Sequence, residues 1–380
     1  MILKPLPDVT LSDIEQLVAN GISEGRTLEF KLELPGPKDD DIREFLADAT
    51  SFANTDGGDL IYGVQAAEGV AVAVPGSPLA ASPDATLLRL ENLLRDVVQP
   101  RLSGVRFQWI PQATDRGVLV ARVPASMTAP HRVTFRGGAK FHHRNSRGKA
   151  EMDTHELRLA FTASEALPAR MQHLHEQTVR MVDMGDLPFS LDARPKTILS
   201  VLPLSLIRDA RSLDVDQASA VSPPGPGSTD WLHALEGFYV FAIASDRTTP
   251  AFALTRRTGQ VDICWGIGRT THDGERLVWP LPFEKTLAAV VPAIIQRLAH
   301  WAIEGPFVIA VTLANVGGYR LYQDFWAGAG PAKPAWRSQL ALPSIVVEAG
   351  TLDELMPLAR SFWYAMSEKR PDGLGLGEGG

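Results

Sequence analysis

The sequence predicts a mixed α/β protein, with helix and strand signals interleaved in both halves of the chain. Three observations carry this reading. Stretches with apolar residues at helical spacing alternate with stretches of period two. Clusters of glycine, proline, asparagine and aspartate separate them. The 380 residues are 45% hydrophobic and 21% charged, an ordinary balance for a folded chain of about two domains.

In chain order, Ser12 with Glu15 fits a capping box that opens a first helix, and Gly21 stops it. From Leu28 to Leu34, apolar residues alternate with Glu29, Lys31 and Glu33, the pattern of a half-buried strand. Asp39 to Asn54 reads as a helix, with Ile42, Phe45, Leu46, Ala49, Phe52 and Ala53 on one face. A turn, Thr55-Asp56-Gly57-Gly58, leads into a strand from Asp59 to Val64. Leu87, Leu90, Leu94 and Val97 mark another helix, stopped by Pro100. Phe107–Ile110 and Val118–Val123 read as paired strands, and Ala139–Arg144 as a last strand. Asp153 with Glu156 caps a closing helix.

The second half offers strands at Thr197–Leu202, Phe238–Ala244, Phe252–Thr255, Val261–Trp265, Phe307–Leu313 and Leu340–Val347. A helix from Glu284 to Ile303, kinked at Pro292, and one from Thr351 to Met366 complete it. The expected organisation is an N-terminal module of residues 1–164, a helical linker of 165–195, a second mixed α/β domain of 196–370 and a disordered tail of 371–380.

Composition excludes several classes. The formal charge is −7, so a nucleic-acid partner needs a local basic patch rather than bulk charge. Cys264 is the single cysteine, which excludes a disulfide scaffold and a multi-cysteine zinc site. No G-x-x-x-x-G-K-[ST] motif is present, so ATP binding of the P-loop kind is not supported. Pro5 and Pro7 interrupt the start, and the apolar stretch Leu287–Ile295 is far short of the roughly 20 residues a span needs. The expectation is a cytoplasmic protein with no membrane partner.

Three features of the first half carry chemistry. Glu24 and Glu29 near Lys31 are suited to holding Mg²⁺ or Mn²⁺ and steadying a phosphoryl group. The same pattern also describes the solvated face of an amphipathic strand. Asn54, Gly57, Gly58 and Gly63 mark turns whose backbone N–H groups are suited to a phosphate, or simply tight connections. The segment from Pro130 to Ala150 carries Arg132, Arg136, Lys140, Arg144, Arg147 and Lys149, has no acidic residue, and interleaves Phe135 and Phe141. Such a hairpin suits phosphates and stacked bases, although cations also blunt exposed sheet edges. The nine histidines offer no His-x-x-x-His pair and read as structural or surface residues.

The ordered set SEGRTLEFK, SFANTDGG, LIYGV, FHHRNS and ELRLAF, across about residues 14–161, resembles the Schlafen-type AlbA domain. The resemblance implies an AlbA-like nucleic-acid-binding module. Bacterial members are described as DNA-binding or regulatory, and some as ATP-binding. Animal Schlafens include metal-dependent endoribonucleases acting on tRNA and rRNA. Their acidic site pairs two glutamates with a nearby aspartate. Glu24 and Glu29 match the glutamates and Lys31 an accompanying lysine. The aspartate's place falls near Ala66, leaving Glu68 as its substitute from a longer loop. The cysteine-rich zinc site of the animal proteins has no counterpart.

Three functions follow as expectations. The first is a regulatory or defence-related protein gripping DNA or RNA phosphates through the basic hairpin. The second is an Mg- or Mn-dependent endoribonuclease with Glu24 and Glu29 as ligands and Glu24, Glu29, Lys31 and Glu68 as catalytic residues. The third is a protein–protein module. Only Trp109 precedes residue 165 while seven tryptophans follow it, so residues 196–370 suit a homo-oligomer or partner surface.

Overall fold

The computed structural model describes residues 2, 4–79, 81–145, 148–204, 212–225, 227–301, 303–322 and 332–371. The chain divides into two units: Met1–Pro168 with Ala299–Glu304, and Ala169–Leu298 with Gly305–Gly380. The division falls inside one long helix, α4 below.

The first unit contains α1 (Leu11–Ala19), β1 (Leu28–Lys31), α2 (Asp39–Ala53), β2 (Gly58–Tyr62), β3 (Gln65–Ala67), β4 (Val70–Ala73), β5 (Ser77–Pro78), α3 (Pro83–Val97), β6 (Val98–Gln99), β7 (Arg106–Ala113), β8 (Arg116–Val123), β9 (Arg132–Val133), β10 (Lys140–Asn145), β11 (Gly148–Glu151) and the start of α4 (Thr154–Met184). Its main sheet runs β1-β2-β8-β5, with β7 also paired to β8. β1 and β2 are parallel, with Leu28 opposite Asp59, so α2 is the crossover between them. A second sheet, β11-β10-β9-β6, carries the hairpin.

Period two distributes the strand side chains. Leu60, Tyr62, Leu119, Ala121 and Val123 pack with Phe45, Leu46, Phe52, Leu90 and Leu94 of α2 and α3. Leu28, Phe30, Ile61, Val118 and Val120 pack with Ile14 of α1 and the N-terminal residues Ile2, Leu6 and Val9. Because Leu28 and Phe30 take the α1 side, Glu29 and Lys31 are left on the α2 side. Buried Arg122 pairs with Asp59 at 2.7 Å and with Glu304 at 2.7 Å, and donates to the carbonyls of Ile2 and Lys4.

Several boundaries differ from the expectation. The capping box is Thr10 with Asp13, two residues before Ser12 and Glu15. β1 stops at Lys31 because its carbonyl accepts from both Gly63 and Val64 N–H, ending the ladder. Leu32 is consequently exposed. Gly63, at φ +94°, closes β2 two residues early. The expected strand over residues 340–347 is split into β21 and β22 below.

The second unit continues with β12 (Lys196–Pro203), β13 (Thr229–His233), β14 (Gly237–Ala242), β15 (Ala251–Arg256), β16 (Val261–Gly266), β17 (Gly268–Thr270), β18 (Arg276–Val278), α5 (Pro280–Ala299), β19 (Phe307–Ala314), β20 (Arg320–Leu321), β21 (Leu340–Ala341), β22 (Ile345–Val347) and α6 (Leu352–Ala365). The large antiparallel sheet has the order β13-β14-β15-β16-β12-β19-β21, with β22 also on β19. Its Ile198, Tyr239, Phe252, Leu254 and Cys264 pack with Val179 of α4. Trp265, one residue on from Cys264 and so on the opposite face, stacks at 6.3 Å on Phe283 of α5, which stacks at 4.0 Å on Phe362 of α6. β17, β18 and β20 form a separate three-stranded sheet. No helix among the described residues is long and apolar enough to cross a membrane.

Candidate functional site

Glu29 and Lys31 meet α2 where that helix presents Glu44 and Asp48, four residues apart and therefore on one face. The β10–β11 hairpin closes the third side with Arg144 and Lys149. Lys31 Nζ lies 2.6 Å from Glu44 Oε1, 3.0 Å from Glu29 Oε1 and 3.6 Å from Asp48 Oδ2. Arg144 Nη2 donates to Glu29 Oε2 at 2.6 Å and to the Gly25 carbonyl at 3.0 Å. Its guanidinium lies 4.3 Å over the Phe52 ring. Lys149 Nζ is 2.8 Å from Asp48 Oδ1. Three cations and three acids thus tie β1, α2 and the hairpin together.

The charge states follow from burial and neighbours. Burial works against the Lys31 ammonium, but Asp48, Glu44 and Glu29 outweigh it and hold its pKa above the ordinary lysine value. Burial would raise Glu29, yet the Arg144 hydrogen bond and the Lys31 charge bring it below the usual glutamate value. Burial pushes Asp48 up more than Lys149 and Lys31 pull it down. Glu24 is raised by burial and then by the Glu29 charge, although its Oε1 accepts from Phe30 N–H at 3.1 Å.

These residues do not fit a divalent cation. Both Glu29 oxygens face cations, and Glu68, proposed as the third carboxylate, is exposed at a turn with φ +51°. Among the described residues no group of three or more His, Cys, Asp or Glu side chains gathers as a metal site. The expected catalytic set of Glu24, Glu29, Lys31 and Glu68 is therefore not assembled as a metal centre. Glu29 and Lys31 neutralise charge and join the strand to the hairpin.

The acid-free basic segment is met by acids from elsewhere in the chain. Arg136 pairs with Asp39 at 3.2 Å and Lys140 with Glu151 at 2.8 Å; Arg136, Lys140 and Glu151 are exposed and Asp39 is half-buried. Arg132 is exposed and donates to Gln99 Oε1 at 2.9 Å. Arg144, expected to grip phosphate, has a side chain that is 0% exposed and is committed to Glu29. It serves the fold, because a guanidinium on a central hairpin strand facing α2 needs a buried counter-charge. Arg147 lies outside the described residues.

The exposed Arg43, Arg136 and Lys140 and the half-buried Lys149 gather around a cleft of about 510 Å³ between α2 and the hairpin, lined also by His142 and Phe135, with Glu44 as its carboxylate. The Arg43 and Arg136 guanidiniums lie 5.8 and 5.6 Å from the Phe135 ring centroid. Burial, then Lys149, lowers the His142 pKa, so its ring is neutral near pH 7. Glu44 and Lys149 belong both to the ion network and to this cleft, so the Glu-Phe-Lys strand and the basic hairpin adjoin one site.

The turn residues shape it. Asn54 Nδ2 donates to the carbonyls of His131 and His142 at 2.9 and 2.8 Å, while its Oδ1 accepts from His131 N–H at 2.6 Å. It clamps β9 to β10, a role that the FANTDGG pattern alone does not reveal. Gly57, at φ +76°, has Ala125 N and Val123 O each 2.8 Å from where a Cβ would stand. Gly58 abuts the Phe52 ring in the same way. Arg43 and Glu44, which the sequence pattern does not single out, prove to be cleft residues. Arg43 sits one turn after the acidic start of that helix, and no spacing rule links it to Phe135.

Residues 24–153, about a third of the chain, match the family model described as Schlafen, AlbA_2. No curated protein matches the chain. Among solved structures, the DIP2311 protein of Corynebacterium diphtheriae is 16% identical with a TM-score of 0.27, over 40% of this chain and 28% of that one. The N-terminal domain of a RecG-related protein of Nitrosomonas europaea is 22% identical with a TM-score of 0.27, over 37% of this chain and 88% of that one. The chain thus spans little more than a quarter of the Corynebacterium protein.

Proposed function

We propose that the first unit binds nucleic acid, with the cleft between α2 and the hairpin as the phosphate grip. The observation that carries this reading is the cleft lining: Arg43, Arg136, Lys140 and Lys149 around Phe135, with one carboxylate, Glu44, itself paired to Lys31. Cations of this kind follow a phosphate backbone, and an aromatic ring between them suits a stacked base. The pairs Arg136–Asp39 and Lys140–Glu151 are cheap to open, since such surface pairs are worth little in water. A phosphate can therefore replace the carboxylate. The Schlafen AlbA_2 match agrees with a nucleic-acid partner; the choice between DNA and RNA, and a regulatory or defence role, belong to the same proposal.

The test is the affinity of the full chain for tRNA, single-stranded DNA and duplex DNA, measured by fluorescence anisotropy. Arg136→Gln with Lys140→Gln is expected to weaken binding about tenfold or more at low salt. Unchanged affinity for all three nucleic acids would overturn the reading.

A further inference from the structure

The second unit has its own cleft, of about 290 Å³, where the end of β16, the β17–β18 hairpin and the first turns of α5 meet. Its walls include Trp279, Ile267, Pro282 and Thr286, and Arg194 and Arg269 stand at it; its lining contains no carboxylate. Trp265 and Phe283 stack beneath as a rigid buried base.

The charge there is net positive. Arg194 Nε donates to Asp192 Oδ2 at 2.6 Å, Asp192 is shared with Lys196 Nζ at 2.8 Å, and Asp246 also feels the Arg194 charge, so the excess positive charge at the cleft is that of Arg269. Arg269 is exposed, and its guanidinium lies 5.3 Å from the centre of the Trp279 ring. Glycine lets neighbouring groups approach the backbone closely here. At Gly266 a Cβ would stand 3.4 Å from Arg194 Cζ, and at Gly268 it would come 2.4 Å from the Leu277 carbonyl. The guanidinium therefore lies over bare backbone at Gly266.

An aromatic wall and two arginines, one of them held by Asp192, make a site for a flat ring that carries an anion. The volume suits a single nucleotide and is too small for paired strands. We infer that this cleft binds a nucleoside monophosphate unit, its base along Trp279 and Ile267 and its phosphate on Arg269 and Arg194. That unit comes either from a free mononucleotide or from the phosphorylated end of a strand. The inference stands on the second unit alone and does not depend on the cleft of the first.

The experiment titrates the full chain with AMP, GMP and UMP, with the matching nucleosides, and with short single strands bearing a 5′-phosphate or a 5′-hydroxyl. Intrinsic tryptophan fluorescence and calorimetry report binding. The expected result is saturable binding that needs the phosphate and falls about tenfold in Arg269→Glu, a surface change that leaves the melting temperature unaltered. Arg136→Gln, in the first unit, leaves binding of the free mononucleotides intact. Binding by the free mononucleotides assigns the free ligand; Arg269-dependent binding only by 5′-phosphorylated strands assigns the strand end. Absence of saturable binding, equal binding of nucleosides, or loss in Arg136→Gln but not in Arg269→Glu would each overturn the inference.

Discussion

Arg144 and Lys140 are four residues apart on one strand, yet they answer to different physics. Arg144 is sealed between Glu29, the Gly25 carbonyl and the Phe52 ring. Truncating it leaves Glu29 half-buried beside fewer cations. Arg144→Met should lower the unfolding free energy by about 2–3 kcal/mol, because a charge-assisted hydrogen bond to Glu29 is lost while Lys31 still faces that carboxylate. Adding Glu29→Gln to it should cost less than the sum of the single changes. Lys140→Gln, at an exposed pair, should leave the melting temperature unchanged while weakening nucleic-acid binding. Urea unfolding of the parent, the three single variants and the double variant checks this, and an unchanged stability in Arg144→Met would refute the buried role.

Glu24 carries the opposite sign from Glu29. Burial and the neighbouring Glu29 charge raise its pKa in the folded state, so its ionised form disfavours folding at neutral pH. That penalty is present above the folded pKa and disappears below the ordinary glutamate value. Gln at this position keeps an oxygen for the Phe30 N–H and carries no charge. Glu24→Gln should therefore melt higher than the parent at pH 7, and the gap should close as the pH falls toward 4. Thermal melts across that range test it. A gap that is constant with pH would mean that charge is not the cause.

At the scale of elements, what was legible in the sequence is what local pattern determines. The α2 stripe, the core strands of both units and the Asp153–Glu156 and Thr351–Glu354 boxes follow from periodicity and capping chemistry. What the pattern could not carry is which strand face lies under which helix. Glu29 and Lys31 alternate like a solvated face, and only the docking of α2 and the hairpin turns that face into an ion network. Arg144 looked like its neighbours in the basic run for the same reason. Edge strands such as Thr229–His233, with a polar sequence and exposed side chains, gave no signal either. The His175–Ser200–Asp262 chain, at 2.8 and 2.6 Å, joins three elements distant in sequence. It is a fully buried polar network whose Asp262 charge is met by Arg256 at 2.6 Å.

The α2–β2 turn shows how an element boundary positions the site. Asn54 ties that turn to β9 and β10, and Gly57 lets it pass against the Val123–Ala125 backbone. Gly57→Ala forces a side chain into φ +76° with backbone atoms 2.8 Å away. The expected cost is at least about 2 kcal/mol, and weaker nucleic-acid binding should accompany it as the hairpin loses its register on α2. Denaturant unfolding and anisotropy on the same variant check both effects. An unaltered stability would show that the turn relaxes freely.

For the whole molecule, the charge of −7 and the basic cleft act at different ranges. The net charge repels a polyanion at a distance, within a screening length of about 10 Å at 0.1 M salt. The cleft attracts only where its cations touch phosphates. Added salt therefore weakens the repulsion as well as the grip, and the balance is read from the slope of log affinity against log salt. Four contacts, from Arg43, Arg136, Lys140 and Lys149, give a slope of roughly −3. Removing two of them in Arg136→Gln with Lys140→Gln should bring it to about half that value. A slope near zero in the parent chain would mean that the cleft does not hold phosphates. A steep slope that the double variant leaves untouched would place the grip on a different surface of the molecule.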